Sequence, residues 1–103
     1  MTAVAKGGFQ LDAGTPGALG VSGMLNFDTA AAALQQIQSA LAADATKGQL
    51  DLAGVSRSDS AGLACVLAVT AEAARRGRTL QVIHMPAGMQ ALAKVCEVDQ
   101  LMR

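Results

Sequence analysis

Aromatic side chains are nearly missing from this sequence. Phe9 and Phe27 are the whole set, without tryptophan or tyrosine, so the core must be aliphatic, built from Leu, Val, Ile and Ala. Neither sign of charge is in excess, with eight basic and eight acidic residues, which excludes the basic footprint that nucleic-acid binding needs. A single histidine, His84, rules out a His-based metal cluster. Neither G-x-x-x-x-G-K-[ST] nor a G-x-G-x-x-G after a strand is present, so no nucleotide cofactor is implied. No apolar run approaches the roughly 20 residues that span a bilayer, and no long apolar stretch with a cleavage site follows the N-terminal lysine, so no signal peptide is expected. The expectation is a cytoplasmic protein without metal, cofactor or membrane insertion. The two cysteines, Cys65 and Cys96, lack C-x-x-C spacing; buried reduced thiols are the plain reading, a disulfide or metal pair the competing one.

What is present is one domain's worth of patterned chain, 103 residues, with residues 1–7 expected to form a flexible tail. Phe9 and Leu11 alternate with polar residues as a half-buried strand does, and Leu19 and Val21 repeat the pattern after a Gly/Pro turn. A helix is predicted from Asn26 or Asp28, either of which can cap it, to about Ala43, with Ala30, Leu34, Ile37 and Leu41 as its buried stripe. Residues 49–53 read as a strand, and 59–76 as a helix burying Leu63, Val66, Leu67, Thr70 and Ala74. Leu80–Ile83 reads as a short strand, and a third helix from Pro86 should bury Met89, Leu92, Val95 and Cys96. Strand–helix–strand units of this kind are parallel. The fold class is therefore α/β: a mixed sheet of about four strands covered by three or four helices.

Polar chemistry gathers where the 49–53 strand gives way to the second helix: Gly54, Val55, Ser56, Arg57, Ser58, Asp59, Ser60, Ala61, Gly62, Leu63. Ser and Asp are good helix caps, so capping alone accounts for part of it. One cap suffices, however, and the run supplies several hydroxyls at the carboxyl end of a parallel strand, where α/β proteins place binding sites. A hydroxyl at a helix start is also suited to phosphorylation. A Ser60–His84–Asp59 relay lacks the G-x-S-x-G elbow, and its Asp adjoins the Ser instead of orienting the His. The Arg75-Arg76-Gly77-Arg78 group reads as a solvated helix end, with a phosphate or lipid-headgroup contact as the alternative. Met85, Met89 and Met102, and the Ala-rich first helix, are further contact candidates.

The block from Leu50 to Gly77 resembles the STAS domain. The carrying residues are Asp51-Leu52-Ala53-Gly54-Val55, Asp59-Ser60-Ala61-Gly62-Leu63, the helix ending Arg75-Arg76-Gly77, and Val21-Ser22-Gly23-Met24-Leu25. Sigma-regulating members carry Asp-Ser-Ser-Gly-Leu at this point, and the second Ser accepts phosphate; here that position is Ala61. The chain is more similar to the MlaB-type branch, with Asp-Thr-Gly-Gly-Leu, whose hydroxyl directly follows the Asp as Ser60 follows Asp59. Val55-Ser56-Arg57-Ser58-Asp59 and Leu92-Ala93-Lys94 echo that branch too. The resemblance implies a non-catalytic subunit binding the cytosolic ATPase of a Mla-type phospholipid ABC transporter, which maintains outer-membrane lipid asymmetry. It implies a partner surface at Ser56, Arg57, Ser58, Asp59, Ser60, Ala61, Gly62 and Leu63. The alternative it implies is an anti-sigma-factor antagonist whose partner is an anti-sigma factor kinase and whose Ser60 is phosphorylated.

Overall fold

The computed structural model describes residues 8–95. The expected tail at 1–7, and Cys96 and Met102 with the rest of residues 96–103, lie outside the described residues. In order, the elements are β1 (Phe9–Asp12), β2 (Ala18–Leu25), α1 (Ala30–Ala43), β3 (Gln49–Ser58), α2 (Ser60–Arg75), β4 (Gln81–Ile83) and α3 (Ala87–Val95). The sheet runs β1-β2-β3-β4. β1 and β2 form an antiparallel hairpin, while β2/β3 and β3/β4 are parallel. This is the mixed sheet that the alternating pattern and the strand–helix–strand order required.

Both crossover helices return the chain from the carboxyl end of one parallel strand to the start of the next. They therefore run side by side in one direction, packed on each other and on β2. Leu19, Val21 and Leu25 of β2 and Leu50, Leu52 and Val55 of β3 meet Ile37 and Leu41 of α1 and Val66 and Val69 of α2. Each such buried side chain contributes about 1.5–3 kcal/mol of transfer free energy, so many small aliphatic contacts replace a few aromatic ones.

The helix faces keep most of the expected stripes, with the deepest positions shifted toward neighbouring residues. α1 buries Ala33, Ile37 and Leu41, leaving Ala30 and Leu34 half-buried. α2 buries Leu63, Cys65, Val66, Val69 and Ala73; Leu67 and Thr70 are half-buried and Ala74 is exposed. Alanine explains the shift, since a helix rich in small apolar residues has little contrast between its faces. α3 buries Met89 and Ala93, whereas Val95, expected in the stripe, is 80% exposed at the helix end.

β3 also differs from expectation. It does not end at Ala53 but continues to Ser58 because β2 pairs with it all the way, Ser22 opposite Gly54 and Leu25 opposite Ser58. Two register shifts, between Gly20/Ser22 and Gly23/Met24 on β2, each give β3 an extra residue. Such bulges break the alternation that reveals a strand. At the first, the Asp51 carboxylate accepts the Ala53 N–H at 2.9 Å.

Two cations fasten the opposite end of the sheet. Lys47, only 5% exposed, donates to the Ala13 and Thr15 carbonyls at 2.9 and 2.8 Å and so clamps the hairpin loop. Arg78 reaches the carbonyls of Leu41, Asp44 and Lys47. The basic group at the end of α2 is thus not a uniformly solvated terminus. Arg75 and Arg76 share Glu72, and Arg78 caps the end of α1.

Candidate partner-docking site

The site is built where β2 and β3 end together. Leu25 closes β2, and its carbonyl accepts the Asp59 N–H at 3.2 Å, turning the chain from β3 into α2. Asp59 has the extended backbone of an N-cap. Its Oδ1 accepts the Ala61 and Gly62 N–H groups at 2.9 and 3.2 Å, two of the amides that a helix start leaves unpaired. Its Oδ2 accepts the Phe27 N–H at 3.1 Å. One carboxylate therefore caps α2 and ties it to the turn that starts α1.

That turn, 26–29, is pinned independently. The Asn26 side-chain oxygen accepts from the Asp28 and Thr29 amides. The buried Thr29 hydroxyl donates to the Met24 carbonyl at 3.0 Å and accepts the Asn26 N–H at 2.9 Å. Asn26 thus organises the turn, and Thr29 stands at the N-cap position of α1, where neither Asn26 nor Asp28 sits.

Ser60 is the first residue of α2 and is exposed. Ser56 and Arg57 are exposed on the last part of β3, with the Ser56 hydroxyl donating to the Gly23 carbonyl at 3.1 Å. Ser58 is half-buried. With Asn26, Pro86 and Gly88, the residues from Ser56 to Asp59 line a shallow polar cleft. On the other side of Ser60, α1 and α2 frame an open apolar groove lined by Phe27, Ala30, Ala31, Leu34, Ala61 and Ala64, with Cys65 and Ala68 along it. Phe27 is 83% exposed at its mouth, and α1 carries no charged residue over its whole length.

Two of the expected contact residues lie inside the fold. Leu63 is 4% exposed and belongs to the core, and Gly62 is buried where α2 crosses Leu25. A side chain at Gly62 would overlap the Leu25 carbonyl oxygen, so glycine is needed for close approach. These two position the site; their side chains do not present it. Cys65 is buried, which pushes its thiol up to about 11. It is therefore protonated and unreactive at neutral pH.

The Ser–His–Asp relay is not assembled. Both Asp59 oxygens hold backbone amides, and His84 Nδ1 lies 3.0 Å from Asp51 Oδ1. His84 follows β4 with a left-handed φ of 55° and an exposed ring. Hydrogen bonds from the Ala53 amide and His84 hold the Asp51 carboxyl below its ordinary range. Among the described residues no cluster could hold a metal, and no helix is long and apolar enough to cross a membrane.

Sequence reasoning found the cap and the displayed Ser60. It missed Phe27, the second role of Asp59, and the Lys47 clamp. A large apolar residue between Asn26 and Asp28, both turn formers, was the available signal for Phe27.

A search of the solved structures places this fold beside an anti-sigma factor antagonist. The phosphorylated form of the Bacillus cell fate determinant SpoIIAA is 17% identical, with 92% of this chain and 88% of that chain covered at a TM-score of 0.64. The unphosphorylated form of the anti-sigma factor antagonist SpoIIAA is 16% identical, with 92% and 85% covered at a TM-score of 0.68. No curated protein matches. The family model described as Mlab, STAS domain matches residues 10–103, nearly the whole sequence. The chain belongs to the STAS domain family and is MlaB-like.

Proposed function

We propose that this chain is a non-catalytic STAS subunit that docks on, and supports, the cytosolic ATPase of a Mla-type phospholipid ABC transporter. In this reading it resides in the cytoplasm at the inner membrane, held there through the ATPase. The observation that carries it is the Ser60 hydroxyl, exposed on the first turn of α2 beside an uncharged helix face, in a chain matched by the MlaB-type family model. Exposed soluble surfaces are usually about a quarter to a third charged, so a charge-free α1 next to an apolar groove supports a protein contact there. The contact consists of the exposed Ser56, Arg57, Asp59 and Ser60 with half-buried Ser58 and Ala61.

The test is co-purification with the ATPase subunit. Ser60→Glu and Ser60→Tyr should each weaken capture by about 30-fold or more, the scale of a central interface residue. Undiminished capture by both variants would overturn the reading.

The likeness to SpoIIAA supports a second reading, an anti-sigma-factor antagonist phosphorylated at Ser60 by an anti-sigma factor kinase. Electrostatics disfavours it. Asp59 already occupies the Ala61 and Gly62 amides, so a phosphate on Ser60 meets a neighbouring carboxylate in place of free donors. Ala61 also stands where sigma-regulating members carry the accepting hydroxyl. A mass increase at Ser60 after incubation with a cognate kinase would favour the switch.

A further inference from the structure

We propose that Phe27 is the anchor of this docking face, its ring seated in an apolar pocket of the ATPase, and that Asp59 is the positioning residue that holds it there. The inference rests on the docking reading above and adds to it the side chain that enters the partner.

Phe27 is one of only two aromatic residues in the chain. Phe9 is buried in the core, whereas Phe27 is 83% exposed, so folding draws almost nothing from its ring. Exposure alone is common among apolar residues; here it comes with rigidity. The backbone of the turn is fastened by the Asn26 side chain, the buried Thr29 hydroxyl and the Asp59 carboxylate. A ring displayed on a pinned turn loses little freedom on binding, which is how preorganised anchors gain affinity. The surface around it suits a close, uncharged contact: the groove beyond Phe27 is floored by alanines and α1 bears no charge. It is continuous with Ser60, because Asp59 holds the Phe27 amide and caps the helix that Ser60 begins. A partner matching this face presents an apolar pocket for the ring, an uncharged surface against α1, and polar groups toward the exposed Asp28, Arg57 and Asp59.

The experiment measures the affinity of the purified ATPase subunit for the wild-type chain, Phe27→Ala, Asp59→Asn, the variant combining those two, and Ser60→Glu. Phe27→Ala should bind about 30-fold more weakly, as a hot-spot truncation does, with an unchanged unfolding midpoint because the ring is outside the core. Asp59→Asn keeps one acceptor for the α2 cap and puts an amide against the Phe27 N–H. It should weaken binding in the wild-type background and add little in the Phe27→Ala background, the non-additivity of two residues acting through one contact. A loss of equal size in both backgrounds would mean that Asp59 acts through the α2 cap or its own contact and not through Phe27, and would overturn the positioning role. If Phe27→Ala binds within about threefold of wild type while Ser60→Glu does not bind, the anchor is refuted and the docking reading stands. If the wild-type chain does not bind the ATPase, both fall.

Discussion

Replacing Gly62 with alanine sets two physical effects against each other. Helix propensity alone favours Gly62→Ala by about 1 kcal/mol. The structure opposes it, because a methyl group there would overlap the Leu25 carbonyl oxygen and lie 3.0 Å from the Leu25 carbonyl carbon and Cβ. Those atoms belong to the last residue of β2, whose carbonyl also receives the Asp59 amide, so they cannot yield without moving the junction. Overpacking of this kind costs about 1–3 kcal/mol, and rigid backbone neighbours place it at the upper end. The net expectation is destabilisation by about 1–2 kcal/mol. In urea that lowers the midpoint by about 1 M with an unchanged slope. Gly88→Ala is the control: Gly88 lies in α3 with nothing near its would-be methyl group, so propensity acts unopposed and stability should rise. A Gly62→Ala protein as stable as wild type would refute the close approach of α2 to β2 on which the position of Ser60 depends.

Lys47→Met removes two charge-assisted hydrogen bonds to the hairpin loop. It should destabilise the fold by about 2–3 kcal/mol and speed proteolytic cutting within residues 13–17. Acid should act through Asp44, Asp51 and Glu72, whose carboxyls are lowered chiefly by hydrogen bonds, from the Thr46 side chain, the Ala53 amide and the Arg76 side chain respectively. Folded values below unfolded ones mean that this stabilisation is full above the ordinary carboxylate range near pH 4 and is lost as pH falls through the lowered values. Thermal melts taken from pH 7 downward should show that loss, with a shallower decline in Asp44→Asn.

Much of the fold was legible because strand and helix periods differ sharply at Phe9–Leu11, Leu50–Leu52 and in the alanine-rich helices. The far half of β3 was not, since Gly54, Ser56 and Ser58 have loop composition and the bulges disrupt alternation. Only pairing with β2 makes them a strand. Helix existence was clearer than helix phase: Ala30 and Ala33 differ little as residues but sit at different depths. At the site, the Asp59 cap and the display of Ser60 follow from local rules about helix starts. The bond from Asp59 to Phe27 joins residues 32 positions apart, and no local rule reaches that far. The burial of Leu63 was not legible, because an apolar residue at a helix start reads alike whether it faces inward or outward.

The account turns on which face of the chain meets another protein. Amide hydrogen exchange of the chain, alone and with the purified ATPase subunit, reads this directly. New protection confined to residues 26–34 and 56–68 is the expected footprint. Protection concentrated instead on the β1 edge, or an exchange pattern unchanged by the ATPase, would contradict it.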